Sequence, residues 1–338
     1  MAALVVCGAP AFGDDASALA HGQRLLLRDG WAIRSSAADG RSGAALSTVG
    51  ASVAGWIPAR VPSTVVAARV AHGDFADPGY GMNLRQIPGT TDYPIGDKFA
   101  LHDMSSSNPY KQAWWYRTEF DVPPRAGRMW LHFDGINYRA NVWLNGRKVA
   151  GDREVAGSYR RYAFDVTSLA RAGGRNALAV EVFAPTKNDL APSFIDWNPT
   201  AADRNMGLWQ DVYVTSSGPV RIEHPFVVSR VPRTDEARLT IAAELVNATD
   251  APVTATVRAT IDEPGDRTRL IDVSETVTLA AHERKPISLT PERHPALVVA
   301  APRLWWPYGL GAPTLHDLVV TASVDGALSD RAPSRCGI

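Results

Sequence analysis

The stretch from Trp114 to Gly151 constrains the fold more than any other. Trp114, Tyr116, Thr118, Phe120 and Val122 alternate with Trp115, Arg117, Glu119 and Asp121. Such alternation marks a strand with one buried face, because successive side chains point to opposite sides of a sheet. Pro123-Pro124 then turns the chain, since proline removes a ladder donor and presets φ. Met129, Leu131 and Phe133 alternate again, and after Asp134-Gly135 a further strand runs through Ala140, Val142 and Leu144. Asn145-Gly146 predicts a two-residue hairpin turn, in which both central residues need positive φ. Arg147 to Ala150 is the return strand.

The rest of the chain reads the same way. Leu25 to Ile33 is a short strand-like lead-in, and Arg34 to Ser52, rich in Ala, Ser and Gly, is a loop. Ser63 caps a short helix that ends at Gly73. Asp77 to Asp103 is a long irregular segment, of a length that is unusual unless it packs on something or carries function. Strands follow at Tyr162–Val166, through Leu178, Val180 and Val182, and at Leu208–Thr215, with a second long loop at Lys187–Gly207. This unit, residues 23–217, is predicted to be a jelly-roll sandwich. Ser216-Ser217-Gly218-Pro219 reads as a linker. Beyond it, strands near Ile222–Val228, Leu239–Val246, Val253–Ile261, Val273–Leu279, Pro286–Leu289 and Leu315–Val324 predict an immunoglobulin-like sandwich over 218–335. The fold class is all-β.

Composition excludes several functions. Lys+Arg and Asp+Glu are each 35 in 338 residues, so no net charge points to nucleic acid or an anionic membrane. No run reaches the length of a membrane-spanning helix. Cys7 and Cys336 lie near opposite ends and form neither a disulfide framework nor a metal site. Phosphate-binding, dinucleotide-binding, zinc-protease and serine-hydrolase signatures are all missing. No cofactor and no metal are expected, and the eight His are scattered as ordinary packing or surface residues. Residues 1–22 are apolar and then small-residue rich, and read as a partial signal peptide lacking its basic start, or as a disordered tail. A secreted or periplasmic location follows from the first reading.

One place gathers polar and aromatic groups. Ser193, Asp196, Trp197, Asn198, Asp203, Arg204 and Asn205 fall within one loop. Carboxylates beside a tryptophan suit a sugar, with bidentate bonds to adjacent hydroxyls and a ring against its C–H face. The bland alternative is a structural loop whose Asp and Arg pair with each other. For the ten Trp, core filling and sugar stacking are likewise both open.

A resemblance sharpens this. WWYRTEFDVP, LHFDGINYRANVWLNGRKVAG, RYAFDVT and NALAVEVFAP, in that order, resemble the N-terminal sugar-binding domain of glycoside hydrolase family 2. VPSTVVAARVAHGDFADPGYGMNL is similar to the segment that precedes it, and PRLWWPYGLGAPTLHDL to the end of the immunoglobulin-like domain that follows. The loop SFIDWNPTAADRNMGLWQDV looks most like the exo-β-D-glucosaminidase branch, with β-mannosidases next.

The resemblance implies a catalytic (β/α)8 barrel of about 250 residues, with two glutamates roughly 5 Å apart acting with retention. This chain has no Asn-Glu dipeptide of the kind that usually holds the acid/base, and nothing in it alternates β and α. It therefore reads as the ancillary part of such an enzyme, cut before the barrel, with no catalytic residue of its own. By the same resemblance Asp196 and Trp197 reach the first sugar subsite, and Asp203, Arg204 and Asn205 contact the sugar or the barrel. The expected partners are a glucosamine- or mannose-type sugar at a non-reducing end and the missing barrel. Three alternatives stay open: a stand-alone carbohydrate-binding module, a β-mannosidase-type fragment, and an interaction scaffold.

Overall fold

A computed structural model describes residues 19–90, 102–124, 127–191, 201–265 and 268–338. Among the described residues the first unit contains twelve strands: β1 (Leu25–Leu26), β2 (Trp31–Ser35), β3 (Ile57–Ala59), β4 (Ser63–Thr64), β5 (Trp114–Val122), β6 (Arg128–Phe133), β7 (Arg139–Leu144), β8 (Arg147–Ala150), β9 (Tyr162–Asp165), β10 (Gly174–Phe183), β11 (Gly207–Leu208) and β12 (Val212–Ser217). They form a six-stranded sheet in the order β3-β2-β5-β10-β7-β8, a four-stranded sheet in the order β1-β12-β6-β9, and the small pair β11-β4. Tyr116, Val142 and Val180 of the larger sheet meet Leu131, Phe133 and Val214 of the smaller in one continuous core. That is the expected sandwich: inward residues of both sheets interdigitate and exclude water.

The central hairpins form as the alternation dictates. Trp114 to Val122 pairs along its whole length with β10. Asn145 and Gly146 both have positive φ (51° and 84°) at the turn between β7 and β8. The outer face of β5 departs from the sequence reading. Trp115 and Arg117 are buried as well (3% and 5% exposed), because the segment expected to be a loop folds over that face. It contains helix α1 (Gly43–Leu46), and Leu46 and Trp56 pack on Trp115 and Ala179. Arg117 fastens this cover by donating to the Leu46 and Thr48 carbonyls (2.8 and 3.0 Å).

Helix α2 spans Val65–His72 and ends at Gly73, as the sequence implies. Its cap is Thr64 rather than Ser63: the Thr64 hydroxyl accepts from the Ala67 amide at 3.2 Å. Ser63 instead pairs with Leu208 in the small sheet. Leu19 to Gly22 also belong to the sandwich, since Leu19 is buried and its amide donates to Pro124.

Among the described residues the second unit contains eight strands: β13 (Val220–Arg233), β14 (Glu236–Asn247), β15 (Val253–Asp262), β16 (Arg269–Leu279), β17 (Arg284–Leu289), β18 (Val298–Ala300), β19 (His316–Val324) and β20 (Ala327–Cys336). One sheet runs β13-β14-β17 with β18 beside β14, and the other runs β16-β15-β19-β20. Leu239, Ile241, Val257, Ile261 and Leu318 form its core. Sequence reading missed β18 and β20. The segment ALSDRAPSRC carries too few apolar residues to show a period, and its pairing with β19 places it.

Ser216-Ser217-Gly218-Pro219 is not a free linker. Ser216 and Ser217 complete β12 and are buried. The Trp130 indole donates to the Ser217 hydroxyl at 2.8 Å, and Ser329 binds both the amide and the carbonyl of Val220 (2.8 and 2.7 Å). No helix among the described residues is long and apolar enough to cross a membrane.

Candidate sugar-site loop

Asp203, Arg204 and Asn205 lie together in the turn that leads from the second long loop into β11. Asp203 is fully buried. One carboxylate oxygen accepts from the Val66 amide at 2.7 Å and the other from the Asn205 amide at 2.9 Å. It therefore sits at the N-terminus of α2, where unpaired amides and the helix dipole favour a negative charge. Burial pushes its carboxyl up to about 6, against the downward pull of the Val66, Asn205 and Thr64 hydrogen bonds.

Arg204 is also buried. Its guanidinium donates to the carbonyls of His102 and Pro185, joining three segments of chain. Asp203 and Arg204 thus both bind backbone groups. Asn205 is the one of the three that is partly exposed. Arg204 and Asn205 both have left-handed φ (51° and 57°), a conformation that needs outside support in a non-glycine residue.

Two buried asparagines give that support. The Asn137 amide donates to the carbonyls of Arg204 and Asn205 (3.0 and 2.8 Å), and its own oxygen accepts from Ser158 at 2.7 Å. Asn108 donates to Ala202 at 2.9 Å and to Gly89 at 3.2 Å. Gly207 closes the turn at φ 154°, and a Cβ there would lie 2.5 Å from the Ser63 carbonyl and 2.6 Å from the Tyr116 hydroxyl. Sequence reasoning found neither asparagine. Each stands alone in an irregular segment, and only the folded chain brings it to the loop.

The other flank is clamped too. Arg139 forks onto Asp189 through both carboxylate oxygens, and the Thr186 amide and hydroxyl donate to the same carboxylate at 2.8 Å each. Burial would raise the Asp189 carboxyl, but Arg139 and Thr186 outweigh it and hold it at about 2. Ser193, Asp196, Trp197 and Asn198 lie between the two clamps, outside the described residues. Among the described residues, no group of three or more His, Cys, Asp or Glu side chains is placed to hold a metal.

Two β-sandwiches in this order, with a long loop clamped at both ends, match known proteins. Residues 31–193 match the glycosyl hydrolase 2 galactose-binding domain-like family, and residues 220–338 match glycosyl hydrolases family 2. The chain belongs to glycoside hydrolase family 2. Within it, the exo-β-D-glucosaminidase of Streptomyces avermitilis is 38% identical over 312 residues, which covers 91% of this chain and 32% of that protein. The crystal structure of the Amycolatopsis orientalis exo-chitosanase superposes with a TM-score of 0.78 at 34% identity, covering 94% of this chain and 34% of the other. A mannosylglycoprotein endo-β-mannosidase of Lilium longiflorum is 28% identical over 329 residues. The chain spans about a third of the length of the relatives it matches.

Proposed function

We propose that this chain supplies one wall of the sugar pocket of a retaining exo-glycosidase of the exo-β-D-glucosaminidase type, acting on β-1,4-linked glucosamine at non-reducing ends. Its units are the sugar-binding jelly roll, 23–217, and the immunoglobulin-like sandwich, 218–335. One observation carries the reading: the loop bearing Asp196 and Trp197 is fixed at both flanks, by Arg139–Asp189 and by Asp203 with Asn137. Anchored flanks suit a precise task, because a substrate contact is worth most when its geometry is set beforehand.

In this reading Asp196 bonds the sugar and Trp197 flanks it. Asp203 and Arg204 act by positioning, and Asn205 faces the sugar or the barrel. The bond-breaking glutamates belong to the part of the relatives' length that this chain does not span. Support comes from the strongly shifted carboxyls, which serve structure: Asp203 binds amides and Asp189 binds Arg139. A polysaccharide substrate and the leader-like start fit a secreted or periplasmic protein.

The test is a chimera of residues 1–338 with the remaining chain of the Streptomyces avermitilis relative, assayed on a chromogenic β-glucosaminide. We expect turnover, with kcat/KM lowered about a hundredfold or more by Asp196→Ala. A folded chimera that is inactive, or one indifferent to Asp196→Ala, would contradict the proposal.

A further inference from the structure

The segment from Trp305 to Leu315, WWPYGLGAPTL, contains no charged residue. It lies between β18 and β19 and folds back on itself. Trp305 bridges to Pro313, and the Trp306 amide donates to the Ala312 carbonyl at 3.0 Å. Between them the Leu310 amide donates to the Pro307 carbonyl at 3.1 Å, and Gly309 has φ 82°. A turn of this kind needs positive φ at its third residue, which glycine adopts without strain. The segment is therefore a short hydrogen-bonded hairpin and not a loose loop.

Its large side chains are left in solvent. Tyr308, at the tip, is fully exposed, Leu310 is 72% exposed, and Trp305, Trp306 and Leu315 are exposed by 39% to 46%. Of the fifteen large apolar side chains exposed among the described residues, five stand on this one hairpin. Apolar groups scattered singly need no explanation, but a concentration of them marks a contact surface. The charges that flank it are engaged within their own unit, Arg303 with Glu263 at 3.6 Å and Arg335 with Asp317 at 3.4 Å. The hairpin thus offers a partner shape and apolar area, not charge.

The rings do not make one flat platform. Trp305 rests on Gly337, where a Cβ would lie 2.9 Å from its side chain, and Trp306 rests on Gly311, where a Cβ would lie 2.7 Å from its ring. Adjacent residues of an extended strand point to opposite sides. A sugar chain stacks on rings that share a plane. A ribbon with a ring on each side and leucines beside them fits an apolar groove in a protein, where Trp and Tyr are favoured contact residues. The Trp305 amide also donates to the Ile338 carbonyl at 2.8 Å, so polypeptide joined to Ile338 would emerge alongside the hairpin. About two-thirds of the length of the glucosaminidase relatives lies outside the span matched here.

We infer that the Trp305–Pro313 hairpin is a preformed plug that seats in an apolar groove of the catalytic part, burying Tyr308 and Leu310. This rests on the proposed function in one respect, that the catalytic part occupies the remaining length of the relatives.

Hydrogen–deuterium exchange tests it by comparing the 338-residue chain with the chimera that joins this chain to the remainder of the Streptomyces avermitilis relative. We expect the amides between Trp306 and Ala312 to exchange about tenfold or more slowly in the chimera. Tyr308→Ser with Leu310→Ser should restore fast exchange there and lower the thermal midpoint of the chimera by about 2 °C or more. The same double variant should leave the midpoint of the 338-residue chain unchanged, because both side chains are in solvent. Equal exchange in the two proteins, or equal midpoints for the chimera and its double variant, would overturn the inference. So would protection of the hairpin in the 338-residue chain by chitosan oligosaccharides, or a sedimenting dimer of that chain that the double variant abolishes, since the occupant would then be a sugar or a second copy. None of these readouts uses turnover. A chimera that protects the hairpin yet is inactive, or indifferent to Asp196→Ala, contradicts the proposed function alone.

Discussion

Both oxygens of Asp203 are engaged by backbone amides, and this decides how the residue behaves with pH. Its carboxyl titrates near 3.8 unfolded and about 6 folded. An acid whose folded value is the higher binds its proton more tightly when folded. Its stabilisation is therefore fully present below about 3.8 and lost as pH rises through about 6. In urea denaturation we expect wild type to lose about 2 kcal/mol relative to Asp203→Asn between about pH 4 and about pH 7.5. A gap that moves the other way would place the titration elsewhere. Asp203→Ala removes acceptors from Val66 and Asn205, and should cost about 2 kcal/mol at neutral pH in the same assay. Gly207→Ala should be more severe, about 3 kcal/mol or more, because the clash is with backbone at Ser63 and Thr64 and not with a side chain that can swing away. Asp203 also marks a limit of sequence reading. Beside Trp197 it looks like a sugar ligand, yet its partner Val66 is 137 positions away, and no local pattern announces that meeting.

At the scale of elements, alternation and turn chemistry carried most of the information. Trp114–Val122, Arg147–Ala150 and the Asn145-Gly146 turn form where the sequence puts them, because period two and positive φ are local constraints. What covers a sheet is not local. Arg34 to Ser52 lacks a period, and only folding shows α1 and Trp56 shielding Trp115 from water. Arg117 makes that cover possible, with a nearly buried guanidinium donating to Leu46, Thr48 and Glu119. Arg117→Ala should destabilise by about 3 kcal/mol, since it strands the Leu46 carbonyl and leaves Glu119 without its nearest cation. Arg117→Lys should recover only part of this, because a single compact ammonium lacks the spaced, planar donors that reach Leu46, Thr48 and Glu119 together. Equal stability of wild type and Arg117→Ala in urea would show that the segment is held by its apolar residues alone.

Across the whole molecule, the joint between the sandwiches is buried. Ser217 accepts from Trp130 in the first unit, and the Gly218 amide donates to the Ser329 carbonyl in the second at 2.6 Å. In calorimetry we expect one cooperative transition for wild type. Ser329→Ala leaves the Val220 amide and carbonyl unsatisfied, costs about 2 kcal/mol, and should separate the units into two transitions. Two transitions in the wild type would mean that the joint does not couple them. The order of the two sandwiches was legible in the sequence, while the burial of the joint was hidden in Ser-Ser-Gly-Pro, a composition that ordinarily marks a loose linker.

The same molecule-wide view bears on catalysis. In the proposed function the two sandwiches hold and shape a sugar pocket, while the glutamates that break the bond come from a barrel. Incubating the purified 338-residue chain with chitosan oligosaccharides and a chromogenic β-glucosaminide tests this most directly. We expect no turnover above the buffer rate; hydrolysis that persists in the Asp196→Ala, Asp203→Ala double variant would place a catalytic pair inside these sandwiches and contradict it.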